Sequence, residues 1–257
     1  MDCPVADIAR VIALGASNLT RGFHTIVSAA RSAWGSEIQV IAALGHGRSY
    51  GASSRVAFRT LPGIIQSGLW RTLESLPQMP TRALVTDVGN DILYGYPAEQ
   101  ILEWIDQVLF RLQRTTSDII LAGLPLASMQ RLSQARFLIF RSILFPYCRL
   151  SLNEVLVMAE RMDDGLAQLA SARGLKYFKL NPSWYGIDPI HIRPSLWRPA
   201  WQEILHVDPG KKEESGCVLE GIRLYLMAPE RRRLFGIEQF APQPGVMLPK
   251  GGRIWLY

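Results

Sequence analysis

Four short polar motifs carry residue types that can do chemistry together. Gly15-Ala16-Ser17-Asn18 offers a hydroxyl, Leu44-Gly45-His46-Gly47-Arg48-Ser49 offers exposed backbone, Gly89-Asn90-Asp91 offers a side-chain amide, and Asp188-Pro189-Ile190-His191 offers an imidazole beside a carboxylate. A serine nucleophile needs a base, and the base needs an orienting partner. Residues three apart in a turn or helical coil lie on one side, so Asp188 can accept from one ring nitrogen of His191 while the other faces Ser17. Charge developing on a substrate oxygen needs donors. Gly47 brings its N–H close to a ligand with no Cβ in the way. Ser17 offers its own N–H near a helix N-terminus. The Asn90 amide is a donor of a kind worth roughly 2.7–4 kcal/mol. Taken singly, each motif has a plainer reading. Ser17, Asn18 or Thr20 serves as a helix N-cap, the Gly45–Gly47 stretch is a turn, Asn90-Asp91 is a turn or cap, and Asp188–His191 is a surface turn.

The placement of the motifs favours the joint reading. Each of the first three directly follows an apolar run: 10–14, 37–43 and 82–88. Further β-like runs lie at 118–124 and 176–180. All are rich in Val, Ile and Leu without polar alternation, as expected of strands covered on both faces. Helical patterns fill the gaps at 20–34, 62–76, 98–114, 131–147 and 153–173, the last ending at Gly174, a plausible C-cap. This alternation signals βαβ units and a parallel sheet. With right-handed crossovers it predicts a flavodoxin-like three-layer α/β/α sandwich on a five-stranded parallel sheet. In such a sheet ligands bind at the carboxyl ends of the strands, where the motifs lie.

The last fifty residues read differently. Residues 1–207 form the expected catalytic domain, and 208–257 a β-rich C-terminal appendage rather than an independent domain. Lys211-Lys212-Glu213-Glu214-Ser215-Gly216 reads as a linker, and Ile222–Met227, Leu234–Phe240 and Arg253–Tyr257 as short strands between Pro- and Gly-bearing turns. The appendage is expected to cover a sheet edge or to form a homo-oligomer contact.

Composition bounds the rest. The chain has 257 residues, 48% hydrophobic and 19% charged, enough for a sizeable core. Asp2, Asp7 and Arg10 interrupt the N-terminus, so no signal peptide is expected there. No apolar stretch approaches the ~18–20 residues of a membrane span, and no stable membrane insertion is expected. Cys3, Cys148 and Cys217 have no metal-like spacing and suit a reducing cytoplasm. The formal charge of +6 is compatible with nucleic acid, but the one tight basic run, Arg231-Arg232-Arg233, comes with no nucleic-acid motif, and none is expected as a partner.

The four motifs, with Ser17, Gly47, Asn90 and the Asp188/His191 pair in that order, resemble the sequence blocks of the SGNH (GDSL-type) hydrolase superfamily. The resemblance covers residues 10–206. It implies a flavodoxin-like fold and, without metal or cofactor, hydrolysis or transfer of acyl groups on esters. Ser17 would be the nucleophile, His191 the base oriented by Asp188, and Ser17 N–H, Gly47 N–H and Asn90 the oxyanion hole. The first block departs from the family in carrying Ala16 where Asp is usual and Asn18 in place of Leu. Asn18, His46, Tyr94 and Ile192 flank the motifs as candidate pocket residues, and Trp184, Tyr185 and Trp197 are equally readable as pocket or core. Arg48 or Arg193 would favour an acidic substrate, or be solvated. The expected activity is hydrolysis of a small-molecule or glycan carboxylic ester. The alternatives are an acyltransferase or carbohydrate O-acetylesterase using the same site, and a non-enzymatic binding protein on the same fold.

Overall fold

A computed structural model describes residues 9–35, 37–207, 218–249 and 251–257. Cys3, Cys217 and the Lys211–Gly216 linker fall outside the described residues. The five expected strands form as β1 (Arg10–Leu14), β2 (Gln39–Ala43), β5 (Thr81–Val85), β6 (Asp118–Ala122) and β7 (Lys176–Phe178). They pair in parallel in the order β2-β1-β5-β6-β7, the flavodoxin-like order. β5 stops three residues short of the run in the sequence, because Asp87 takes a left-handed backbone (φ 58°) that no strand can hold.

Alternation along these strands splits the core into two. Ile12, Leu14, Ile41, Ala83 and Val85 face α2 (Leu69–Ser75), α4 (Ala98–Gln113) and α7 (Leu152–Ala172). Val11, Ala13, Val40, Ala42 and Leu84 face α1 (Ser17–Trp34), α8 (Trp197–Ile204) and α9 (Val218–Leu226). Helices therefore cover both faces, which is why the strand sequences are apolar throughout. Three further short helices are α3 (Asn90–Leu93), α5 (Leu126–Met129) and α6 (Gln134–Leu144).

The C-terminal segment is threaded into this architecture. Its last strand, β11 (Arg253–Leu256), lies parallel to β2 and extends the sheet at that edge, with β10 (Val246–Met247) antiparallel outside it. Trp255 and Tyr257 join one half of the core, Ile254 and Leu256 the other. β8 (Arg231–Leu234) and β9 (Ile237–Phe240) form a hairpin whose turn residues, Phe235 and Gly236, both have positive φ, the two-residue turn that suits strand twist. The hairpin pairs with β4 (Arg59–Leu61), which pairs with β3 (Ser54–Val56), giving a second, four-stranded antiparallel sheet. The expected strand at Ile222–Met227 is instead the end of helix α9. Helical spacing puts Glu220 and Leu224 on one buried face against α1, while Ile222, Tyr225 and Leu226 are exposed.

Candidate active site

Ser17 opens α1 directly after β1, at the carboxyl edge of the sheet. None of the expected local caps forms. The N-cap position, Ala16, has no side-chain hydrogen bond to the helix, and the Thr20 hydroxyl turns back to the Ala16 carbonyl. The cap comes from across the sheet. Asp87, just past β5, accepts through Oδ2 from the N–H groups of Ala16 (3.0 Å) and Leu19 (3.1 Å), and through Oδ1 from the Asn18 amide (2.8 Å). With Asp87 doing the capping, the Ser17 hydroxyl is free of it. Ser17 Oγ lies 2.9 Å from His191 Nε2, and His191 Nδ1 lies 2.6 Å from Asp188 Oδ2.

The His191 loop is pinned on both sides. Asp188 Oδ1 accepts from the N–H groups of Ile190 and His191, each at 3.2 Å. Asn18 donates to the Ile190 carbonyl and accepts from the Ile192 N–H, both at 2.8 Å, so one amide brackets His191 in sequence. Burial alone would raise the Asp188 carboxyl, but its bond to His191, with lesser help from Ile190 and Arg21, brings it below its ordinary value. It is therefore charged at neutral pH. His191 and Ser17 are themselves buried, at 6% and 9% exposure, which strengthens the electrostatics between them.

The second motif loop is held by the third. Gly47 sits at φ 64° in the turn closed by the Arg48 N–H on the Gly45 carbonyl. A Cβ there would strike Val56 at 2.4 Å. From α3, Asn90 donates to the Arg48 carbonyl (3.4 Å) and Asp91 accepts from the Tyr50 N–H (2.9 Å), and Tyr94, just past the helix, donates to the Gly47 carbonyl (2.6 Å). One of the two Asn90 amide hydrogens is left over. As the first residue of α1, Ser17 has no helical acceptor for its N–H. Ser17, His191, Gly47, His46 and Asn90 border one cavity of about 140 Å³, closed on the far side by Leu144 and Phe145 at the end of α6. An apolar extension beneath α6 is lined by Leu93, Met129, Val155 and Ile190 among others.

No family model matches the sequence, and no curated relative matches it. Solved structures do match. Est24, a carbohydrate acetylesterase from Sinorhizobium meliloti, is 13% identical over 77% of this chain and 100% of that chain, with a TM-score of 0.50. The native M. smegmatis aryl esterase gives the same identity, coverage and TM-score. The chain shares the fold of these two structures.

Within this fold, the remaining candidates separate by environment. Asn18 and His46 border the cavities at Ser17. Ile192 is core, at 3% exposure, and its carbonyl accepts from Trp197. Tyr94 supports Gly47 from behind and packs edge-on against Phe145. Trp184 is also core, while Tyr185, though buried, lines the apolar extension. Arg48 is neither a substrate contact nor solvated. It is fully buried and donates to the carbonyls of Leu44 and Pro62 and to the Tyr257 backbone oxygen. Arg193 lies away on the surface, donating to the Ser183 carbonyl. Asp87 escaped the sequence reading. Its signal was an acid at the end of an apolar strand, where Ala16 left the helix without a local cap. Among the described residues, no group of three or more His, Cys, Asp or Glu could hold a metal ion, and no helix is long and apolar enough to cross a membrane.

Proposed function

We propose that this chain is a serine ester hydrolase working through an acyl-enzyme. The observation that carries the proposal is the run of two short contacts, Ser17 Oγ to His191 Nε2 at 2.9 Å and His191 Nδ1 to Asp188 Oδ2 at 2.6 Å. The two solved structures that share the fold are an acetylesterase and an aryl esterase, which supports the same reading.

In this mechanism His191 Nε2 takes the Ser17 proton as Oγ attacks the ester carbonyl carbon. Asp188, held ionised, keeps the imidazole in the tautomer that leaves Nε2 free to accept, and stabilises the imidazolium that forms. The tetrahedral oxyanion is met by the N–H groups of Ser17 and Gly47 and the spare Asn90 hydrogen, donors already fixed before the reaction. His191 returns the proton to the leaving alcohol oxygen. Water, activated by the same nitrogen, then releases the acid.

Ser17→Ala is expected to lower turnover of a small aryl ester by at least about a thousandfold, with the folded spectrum unchanged. His191→Ala is expected to do the same, because the two act as a unit. Turnover by purified Ser17→Ala at the native rate would contradict the proposal.

A further inference from the structure

A second cavity, of about 250 Å³, adjoins the catalytic one, and Arg21 and His46 border both. Its wall also carries Arg59, Thr20, His24 and Tyr225. None of the described residues lining it is acidic. This is an unusual place to leave cations. Arg59 is largely withdrawn from water, and burial first, then the charge of Arg232, depress its guanidinium below the ordinary value. The one hydrogen bond it makes among the described residues is a long one, 3.4 Å to the His46 carbonyl. Arg21 also feels the charge of Asp188, but that carboxylate is committed to His191. His24 contributes a buried Nε2 that has no hydrogen-bond partner among the described residues. Burial, then Arg59, Arg21 and His191, push His46 down to about 4, so its ring is a neutral hydrogen-bonding group at pH 7.

Two guanidinium groups on the wall of a cavity that adjoins the nucleophile's, one of them largely buried and, among the described residues, without a carboxylate partner, define a place for an anion. We propose that the 250 Å³ cavity is an anion subsite, and that the ester cleaved at Ser17 carries a carboxylate, sulfate or phosphate group that docks between Arg21 and Arg59. The cavity has room for about eight water volumes of ligand, enough for a short charged chain. The apolar extension beneath α6 is left to the uncharged part of the molecule. This inference rests on the hydrolase reading and specifies its substrate class.

Two pairs of esters test it. The first compares 4-nitrophenyl hydrogen glutarate with 4-nitrophenyl pentanoate, placing the charge on the acyl side. The second compares the acetate ester of glycerol 3-phosphate with glycerol monoacetate, placing it on the alcohol side. In one of the pairs the anionic member is expected to have a kcat/KM about tenfold higher or more, the worth of one charge-assisted bond, and which pair shows it assigns the side. Arg59→Gln is expected to reduce that preference toward unity and to leave the neutral ester unchanged, and Arg21→Gln, at the exposed helix surface, to reduce the preference as well. Added salt is expected to weaken it too. Equal or lower turnover of both anionic esters, or a preference that survives both substitutions, overturns the inference alone. Failure of all four esters contradicts the hydrolase reading and this inference together.

Discussion

Asp87 bears on the Ser17 hydroxyl without being placed to react. A left-handed backbone costs a non-glycine residue about 1–2 kcal/mol, and here that strain aims one carboxylate at the Ala16 and Leu19 N–H groups and at the Asn18 amide. Asn18 then carries the arrangement to both sides of His191. Asp87 is thus a positioning residue for two of the proposed catalytic groups. Asp87→Asn, which replaces an acceptor oxygen by a donor, is expected to lower kcat about 10- to 100-fold, the cost of a misplacement near 1 Å. KM and the melting temperature should move far less, and Asp87→Glu should rescue none of it because the longer chain cannot hold three donors from the same backbone position. A loss seen only in melting temperature would reduce Asp87 to a helix cap. That the four motifs meet at one place was legible because a hydroxyl, an imidazole with its carboxylate and an amide are chemically distinctive types. Asp87 was not, because its role depends on a backbone angle and on a partner 71 positions away.

Helix α9 shows why one element was misread. Its apolar residues Leu219, Ile222, Tyr225 and Leu226 are exposed, and its buried face includes Glu220, at 1% exposure. Hydrophobic pattern alone therefore pointed the wrong way. Glu220 makes a two-pronged ion pair with Arg31 of α1, both bonds at 2.8 Å, and Arg31 also donates to the Gly251 carbonyl. A buried pair of this kind is costly to break and cheap to replace. Glu220→Ala is expected to destabilise the protein by about 3–5 kcal/mol in chemical unfolding. The double variant Arg31→Met with Glu220→Leu should recover most of that. Equal losses in both would mean that the packing of α1 on α9, rather than the stranded charge, sets the cost. Strands β3 and β4 were missed for a related reason. They are short and partly exposed, and the partner of β4 is β8, contributed by the C-terminal segment. Helices α1, α4 and α7, by contrast, bury regular apolar stripes and were legible to within a few residues.

Across the whole molecule, the five-stranded parallel sheet followed from the alternation of strand and helix, whereas a sixth parallel strand from Arg253–Leu256 did not. Nothing in Arg253–Leu256 says which edge it joins. The site also leaves a mark on global stability. Asp91, fully buried under the Gly47 loop, is pushed by burial from 3.8 to about 6. A carboxyl raised on folding stabilises fully below its unfolded value, and that contribution, on the order of 3 kcal/mol, is lost as pH rises through about 6. His46, lowered from 6.5 to about 4, acts in the opposite sense: its contribution is present above pH 6.5 and lost as pH falls. The two offset each other between pH 4 and 6.5. Asp91→Asn should therefore gain stability, relative to the native chain, as pH rises from 4.5 to 6.5, and His46→Asn should lose it, read from urea midpoints; parallel pH profiles would contradict both assignments. The central claim remains the reactivity of Ser17, and a fluorophosphonate probe tests it most directly. Intact-mass and peptide analysis should find one phosphonyl group, on Ser17, and none in His191→Ala over the same time. A native chain left unlabelled, or labelled at another residue, would contradict the account.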